Sequence, residues 1–477
     1  MSFLNPESTR VYGAPLQSAN RAFMARYPGD SERRQPVHTM YGGAHLFRHD
    51  SASRLGELAL RSLEEYAPEW QTFAAAVGLS TGDVDRDTGR AQRFGADTRE
   101  ESPTAGEADA TPLARDVYSR VVEKLRREPV EDFRLDYEDG YGNRPDAEED
   151  AHAASGAREV AEGMRMQTLP PFVGLRVKPL NEELRVRSLR TLEIFLTTLV
   201  RETGGELPPN FVITLPKITI PQQVEFFSIA LTALEQALGL KRGALRFEMM
   251  IETPQVIMGS DGTSALPGIL AASHGRAIAA HFGTYDYTAG VNITSAHQRM
   301  RHPACDFARH MMQVAFAGTG IWLSDGSTAV LPVGEHPVAT GESLTEEQAR
   351  RNRSSVHHAW KLHYDDVQDS LMRGFYQGWD LHPAQLPTRF AAVYTFFLSG
   401  LDAAADRLRN FVGRAAQATL AGDVFDDAAT GQGLLNFFLR GINCGALTEE
   451  ETLSRTGLTL DELRGRSFLQ ILKNRQR

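Results

Sequence analysis

Eight short apolar runs recur along this sequence, and longer amphipathic segments separate them. The runs have the length of β-strands and lie at residues 37–41, 132–139, 172–178, 211–217, 246–253, 277–283, 318–326 and 378–383. Strand patterns that alternate with helix patterns at this spacing predict parallel strands joined by crossover connections. The eightfold alternation favours an α/β fold of the (β/α)8 barrel type, although a doubly wound open sheet is consistent with the same pattern.

Helical periodicity is clearest in three of the intervening segments, at residues 146–167, 181–205 and 221–240. The first begins with Asp146 and further acidic residues, which suit the positive end of a helix dipole. The second ends in two glycines, a common helix stop signal. The third begins with Pro221, and proline is well tolerated in the first helical turn. Each segment therefore has both the pattern and an end signal of a helix.

The predicted barrel occupies residues 37–390 and follows an N-terminal extension at residues 1–36. Residues 79–112 interrupt it with a segment rich in Gly, Asp, Thr and Arg and nearly free of large apolar side chains. Such a segment has too little apolar surface to offset its ordering entropy, so we predict a mobile surface insertion. Residues 391–477 show helical patterns and are predicted to form a helical C-terminal extension.

The composition excludes several classes of function. The formal net charge of −10 argues against a general affinity for nucleic acid or an anionic membrane. The chain has two cysteines, Cys305 and Cys444, which cannot build a disulfide framework or a cysteine zinc site alone. The first residues lack the apolar core of a signal peptide, and no apolar run is long enough to span a membrane. We therefore expect a cytoplasmic homo-oligomer without nucleic-acid or membrane partners.

Polar and charged residues stand at or just after the carboxyl ends of the predicted strands. They are Glu138, Asp139, Arg176, Lys178, Lys217, Glu252, Asp286, Asp325 and His382. In a (β/α)8 barrel these strand ends meet at one mouth, where the active sites of this fold lie. The sequence therefore predicts that these side chains converge on one site.

The residue types at this mouth favour metal-assisted chemistry. Carboxylates without clustered cysteine or histidine suit a hard cation such as Mg²⁺, or Mn²⁺. Glu252 and Asp286, on adjacent predicted strands, form a candidate metal pair. Arg176 is a candidate to hold a substrate carboxylate through two parallel hydrogen bonds. A metal beside it would stabilise an enolate formed from a keto acid or a thioester.

Six short motifs, in order between about residues 130 and 390, resemble those of a known family. They are LDYEDGY (135–141) followed by AREV (157–160), LRVKPLN (175–181), LPK (215–217), MIETP (250–254), HFGTYDY (281–287) and LHPAQL (381–386). In these motifs the chain resembles the citrate lyase β-subunit-like and HpcH/HpaI aldolase family of the phosphoenolpyruvate/pyruvate TIM-barrel superfamily. The resemblance implies a TIM barrel that forms or cleaves carbon–carbon bonds next to a carbonyl group.

The resemblance also implies roles for particular residues. Glu252 and Asp286 match the Mg²⁺ carboxylates of the family, and Arg176 matches the arginine that binds the substrate carboxylate. The other matches are the acidic pair that supports this arginine and the metal-bound waters, Glu138 and Asp139, and two residues of the substrate site, Gly283 and Thr284.

The expected substrate is a small carboxylate, an oxo acid or its acyl-CoA thioester, as in citryl-CoA or malyl-CoA lyases and malate synthase-like enzymes. Lys178 stands where the family usually has asparagine, and residues 260–267 lengthen the loop after Glu252. The general base stays open among Asp325, Lys217 and a residue of the C-terminal extension. Two other functions also stay open: phosphoryl chemistry on phosphoenolpyruvate or pyruvate, and a non-catalytic barrel with a binding role.

Overall fold

Within the described part of the chain, eight parallel strands close into a barrel in chain order, so the predicted (β/α)8 fold is confirmed. The computed structural model describes residues 6–29, 31, 33–79, 107–337, 343–413, 419–421, 424–426, 428–465 and 471. The barrel strands are β1 (His38–Gly43), β2 (Asp132–Asp136), β3 (Phe172–Arg176), β4 (Phe211–Leu215), β5 (Arg246–Ile251), β6 (Ala277–Phe282), β7 (Trp322–Ser327) and β8 (Gln377–Asp380). Each strand overlaps one of the runs predicted from the sequence.

Helices cover the outside of the barrel and connect its strands. They span Ser51–Tyr66, Trp70–Val77, Glu107–Arg127, Asp146–Met166, Arg185–Thr203, Pro221–Ala237, Pro254–Ile257, Leu266–Ala272, Thr284–Gly290, Pro303–Phe316, Glu346–Met372 and Leu386–Ser399. The helices predicted at residues 146–167, 181–205 and 221–240 are confirmed. A further helix, Pro6–Arg26, precedes the barrel. Among the described residues, no helix combines the length and the apolar character needed to cross a lipid bilayer.

The segment boundaries differ in detail from the predicted ones. The predicted insertion, residues 79–112, falls mostly outside the described residues, and its last part is the beginning of the helix Glu107–Arg127. The predicted barrel end at residue 390 falls inside the helix Leu386–Ser399. This helix packs against Glu107–Arg127 and Glu346–Met372, so it belongs to the outer layer of the barrel. The C-terminal extension therefore begins after Ser399.

The C-terminal extension contains the helices Leu401–Gly413, Ala428–Asn443, Glu449–Thr456 and Leu460–Arg464. A short antiparallel pair of strands, Thr419–Ala421 and Val424–Asp426, stands between the first two helices. The extension has its own apolar core and contacts the barrel near the N-terminal ends of the strands. There, Nη1 of Arg440 donates to Oε1 of Gln35 at 2.7 Å, just before β1. This contact places the extension at the end of the barrel opposite the mouth.

Polar side chains fill the middle layer of the barrel interior, where this fold commonly carries branched aliphatic residues. Arg134 on β2 pairs with Asp132, and its Nη2 lies 2.9 Å from Oε2 of Glu248 on β5. Nε2 of His281 lies 3.2 Å from Glu248, and the Tyr41 hydroxyl donates to the same carboxylate at 3.2 Å. Arg134, Asp132 and Glu248 are all buried, so each charge depends on the others for compensation.

Strand alternation explains the positions of the two glutamates in the sequence FEMMIET. Side chains an even number of residues apart share one face of a strand, so Glu248 and Glu252 both project into the barrel. Glu248 lies in the middle layer, where Thr214 and Arg134 donate hydrogen bonds to it. Glu252 directly follows the last residue of β5 and accepts a hydrogen bond from the backbone of Lys217 at the mouth.

We predict that replacing Glu248 with alanine destabilises the protein strongly. The substitution leaves the buried Arg134 with Asp132 as its remaining carboxylate partner, and breaking a buried ion pair costs roughly 3–5 kcal/mol. Urea unfolding of Glu248→Ala measures this loss. The control is Glu182→Ala, which removes a largely exposed carboxylate paired with Arg185 and should change stability by less than about 1 kcal/mol. Equal stability of the two variants would show that the interior network contributes little.

Candidate active site

Arg176, the last residue of β3, is held at the mouth by carboxylates. Its Nε and Nη2 donate to the two oxygens of Asp136 at 2.7 and 2.6 Å, a two-point contact that fixes the plane of the guanidinium. Its Nη1 lies 3.0 Å from Oε2 of Glu138 and 3.8 Å from Asp139. The guanidinium also lies over the ring of Tyr41, 4.8 Å from its centre. These contacts fix both the position and the orientation of the arginine.

Arg176 stays protonated and positively charged although it is buried. Removal from water opposes the charged form, but the Asp136 carboxylate and then Glu138 more than compensate and raise the pKa of Arg176 well above its usual value. The guanidinium has five N–H donors, and the contacts with Asp136 and Glu138 use three of them. Within the described part of the chain, these contacts leave two donors without an acceptor.

Glu252 and Asp286 form an acidic pair across the ends of the adjacent strands β5 and β6. Glu252 is buried, and its Oε1 accepts a hydrogen bond of 2.6 Å from the backbone N–H of Lys217. Asp286 lies in the first turn of the helix Thr284–Gly290, and 43% of its side chain is exposed. Burial, and then the charge of Asp286, raise the pKa of Glu252 to about 8. The two carboxylates are therefore close enough to repel each other.

Lys217 connects the two halves of the mouth. Its backbone is left-handed, with φ of 48°, and its ammonium group contacts Glu138, lies 3.1 Å from Asp139 and lies 3.6 Å from Asp286. Burial opposes its charge, but the Glu138 carboxylate outweighs this and raises the pKa of Lys217 above its usual value. A lysine held in its charged form is a poor general base, so this candidate role from the sequence is disfavoured.

Gly283 and Thr284 border the acidic pair. A Cβ at Gly283 would stand 2.5 Å from Oε2 of Glu252, so the absence of a side chain makes room for that carboxylate. The hydroxyl of Thr284 is buried and has no hydrogen-bond partner among the described residues. A Cβ at Gly326 on β7 would overlap this hydroxyl, so the hydroxyl fills the space that the missing side chain leaves.

Two of the predicted convergent residues point away from the mouth, and for them the prediction was wrong. Asp325 accepts a hydrogen bond of 2.6 Å from the Ser370 hydroxyl and lies 3.3 Å from Nη1 of Arg309, both on outer helices. Neighbouring residues of a strand face opposite sides of the sheet. Asp325 therefore faces the outer helices, whereas Ser324, next to it on β7, faces the other side. Lys178 donates to the backbone oxygen of Tyr137 and is 2.9 Å from Glu149 in the helix layer.

His382, a third residue predicted at the mouth, caps a short helical turn in its own loop. Its Nδ1 accepts a hydrogen bond of 3.2 Å from the backbone N–H of Ala384 in the turn Pro383–Gln385.

The described part of the C-terminal extension contacts the far end of the barrel and supplies no residue to the mouth. Of the three candidates for the general base, Asp325 and the described part of the extension are therefore excluded by position.

Asp136 and Tyr41 are site residues that the sequence analysis did not select. Asp136 stands two residues before Glu138, inside the motif LDYEDGY, and it provides the two-point contact with Arg176. The alternation of side chains along β2 could have pointed to Asp136, because Asp132, Arg134 and Asp136 are two residues apart and share the inner face of the strand. Tyr41 gave no comparable signal, since its contact with Arg176 depends on how β1 and β3 are placed around the barrel.

The acidic pair has the donor chemistry of a Mg²⁺ site. Mg²⁺ commonly takes one or two protein carboxylates and completes its coordination with water and substrate. Glu252 and Asp286 supply two such groups, and a divalent cation would offset both the burial of Glu252 and the charge of Asp286, which together raise the pKa of Glu252. Within the described ranges, no group of three or more His, Cys, Asp or Glu side chains has metal-binding geometry. On donor chemistry, the two carboxylates fit a metal whose other positions are filled by water and substrate.

The fold and the charged mouth define a (β/α)8 barrel protein with an acidic pair beside a fixed arginine. The chain belongs to the family described as a domain of unknown function, DUF6986, whose profile matches residues 16–471. No curated protein matches the sequence.

Several solved structures are similar to this chain. A citrate lyase from Burkholderia xenovorans LB400 is 17% identical, with a TM-score of 0.51, over 72% of this chain and 92% of that one. A lead(II) complex of malate synthase from Haloferax volcanii is 15% identical, with a TM-score of 0.41, over 78% of this chain and 95% of that one. The magnesium/glyoxylate complex of the same malate synthase is 16% identical, with a TM-score of 0.40, over 76% of this chain and 94% of that one. The likeness to the citrate lyase shows the fold alone, and the narrower resemblance in the motifs stays a prediction.

We predict that Gly283→Ala disturbs the acidic pair. The new Cβ would overlap Glu252, and forcing an extra methyl group into a packed site costs typically 1–3 kcal/mol. The matched control is Gly268→Ala, where the nearest atom to a new Cβ is 3.8 Å away, on Pro221. Alanine in this helix should be neutral or stabilise the protein by up to about 1 kcal/mol. Unfolding midpoints of the two variants test the contrast, and an unchanged midpoint for Gly283→Ala would contradict it.

Proposed function

We propose that this protein is a Mg²⁺-dependent carbon–carbon lyase or a Claisen- or aldol-type enzyme, acting on a small oxo acid or its acyl-CoA thioester. One observation carries the proposal: Arg176, fixed in plane by Asp136, shares the mouth with the acidic pair Glu252 and Asp286. A planar cation beside a candidate metal pair suits a substrate that carries a carboxylate next to a carbonyl group.

Arg176 would bind the substrate carboxylate with the two N–H donors that its protein contacts leave. Asp136 and Glu138 position the guanidinium, so little rotational freedom is lost when the substrate binds. These contacts orient the substrate before any bond changes.

Glu252 and Asp286 would hold Mg²⁺, which supplies Lewis-acid stabilisation of an enolate when it is bound. Lys217 would keep its positive charge between Glu138, Asp139 and Asp286 and add to the favourable field for a developing anion. Its backbone N–H holds Oε1 of Glu252 in place. The chain therefore contributes fixed charges on both sides of the reacting group.

A substrate screen tests the proposed activity. Purified protein with Mg²⁺ is incubated with acetyl-CoA and glyoxylate, acetyl-CoA and oxaloacetate, pyruvate and an aldehyde, and the corresponding cleavage substrates. We expect turnover in at least one of these reactions, lost on removal of Mg²⁺ by a chelator. Mg²⁺ binding without turnover of any oxo acid or thioester would favour a non-catalytic barrel instead.

We predict that Arg176→Lys weakens the binding of pyruvate or oxaloacetate. Lysine is a point charge and cannot reproduce the planar two-donor contact, and a hydrogen bond to a charged group is worth about 1.5–3 kcal/mol. Calorimetry of the oxo acid measures the loss, and Mg²⁺ titration of the same variant is the control. Mg²⁺ affinity should stay unchanged because Arg176 is not one of the two proposed ligands. Unchanged oxo-acid affinity would remove Arg176 from the substrate site.

We predict that Mg²⁺ affinity rises with pH up to about 8 and then levels off. In the metal-free protein Glu252 has a pKa of about 8, so below this pH a proton must leave before the carboxylate can bind the metal. The dissociation constant should fall by up to about tenfold per pH unit below pH 8. Calorimetry between pH 6 and pH 9 measures this dependence.

Three variants complete the metal test. Glu252→Gln and Asp286→Asn should each lose most Mg²⁺ binding with the fold intact, whereas Glu182→Gln, at an exposed carboxylate, should bind like the parent. Normal Mg²⁺ affinity in either of the first two variants would overturn the assignment of the pair.

A further inference from the structure

A groove of about 790 Å³ lies at the end of the barrel opposite the candidate active site. The first residues of three strands line it: Arg246 of β5, Ala277 of β6 and Trp322 of β7. The helices Leu266–Ala272 and Pro303–Phe316 form its sides. Active sites of this fold lie at the carboxyl ends of the strands, so this groove is separate from the mouth. Its volume falls in the range of small-molecule sites.

The charge in the groove is unusual for this chain. Among the described residues, its lining includes Arg26, Arg33 and Arg246 and no acidic side chain, although the whole chain carries a formal net charge of −10. None of the three arginines forms an ion pair within the described residues. Partial burial, and then the positive charge of Arg246, lower the pKa of Arg33. Two cations thus face one space without a described counter-ion, which favours an anionic ligand.

The arginines are oriented by neutral partners. Arg33 lies over the ring of Trp322, 5.4 Å from its centre, and donates to the side chain of Asn210 at 3.3 Å. Arg246 donates to the backbone oxygens of Gly243 and Gly275 at 3.1 and 3.2 Å. These partners are neutral, so within the described part of the chain the positive charges of Arg33 and Arg246 stay uncompensated. An oxyanion between them would gain charge-assisted hydrogen bonds from both.

The rest of the groove offers apolar surface. Leu270, Met311 and Val314 line it, and Val314 is 78% exposed. A ligand that combines an anionic head with an apolar body would engage both kinds of surface, whereas a bare inorganic ion would leave the apolar part uncovered.

We infer that this groove is a binding site for a small amphipathic organic anion. The oxyanion head lies between Arg33 and Arg246, and the apolar body covers Met311 and Val314. Phosphate and carboxylate heads share the required chemistry. The inference does not depend on the proposed function, because the groove contains neither Arg176 nor the acidic pair.

Calorimetry with phenyl phosphate and with phenylacetate tests the site and distinguishes the two heads. At least one of them should bind at least tenfold more tightly than inorganic phosphate, which lacks the apolar body, and than phenol, which lacks the charge. Binding should weaken as salt increases, because the arginines are partly exposed to solvent. Equal affinity for the aromatic anion and inorganic phosphate, or no binding of either aromatic anion, would overturn the inference.

Variants locate the binding. Arg33→Gln and Arg246→Gln should each weaken binding roughly tenfold, the scale of one lost hydrogen bond between charged groups. Ala315→Phe, which fills the groove with an apolar ring, should block it. The matched control is Arg201→Gln, an exposed arginine outside the groove that pairs with Glu202.

The same probe separates this site from the mouth. Arg176→Lys should bind the aromatic anion like the parent protein. A loss of binding in Arg176→Lys together with normal binding in Arg33→Gln and Arg246→Gln would place the anion at the mouth and overturn the inference.

Discussion

The two-point contact between Arg176 and Asp136 is the interaction on which the candidate site depends. Burying a guanidinium is costly unless carboxylates accept its hydrogen bonds, and here Asp136 accepts two of them at 2.7 and 2.6 Å. Asp136 ends β2 and Arg176 ends β3, and the two residues are direct neighbours in the sheet register. The pairing of the strands therefore fixes the guanidinium, which in the proposed function would set where a substrate carboxylate lies.

The site stands on a second charged layer deeper in the barrel. Arg134 and Glu248 pair below the mouth, and Tyr41 joins the layers because its hydroxyl bonds to Glu248 while its ring lies against Arg176. A charged interior costs desolvation energy compared with an aliphatic one. In return, each side chain of the network has few alternative positions, which gives the groups at the mouth a rigid support.

Local sequence pattern predicted the fold well because strands and helices have different periods and the end signals are local. It also selected Glu252 and Asp286, since both follow strands that pair in the barrel. It failed at Asp325, where polarity was visible but the face of the strand was not, and it overlooked Asp136, whose role depends on a partner 40 residues away. The contact of the C-terminal extension with the far end of the barrel is likewise a long-range packing result that no local pattern contains.

The most direct test is the coupling between Mg²⁺ and a small dianion that resembles an enolate. Calorimetric titration of oxalate in the presence and absence of saturating Mg²⁺ measures it, and the coupling must be the same when Mg²⁺ is titrated with and without oxalate. If Arg176 and the acidic pair Glu252 and Asp286 form one site, Mg²⁺ should tighten oxalate binding at least tenfold, and Asp136→Asn should weaken it. Equal oxalate affinity with and without Mg²⁺ would contradict a shared metal and carboxylate site at this mouth.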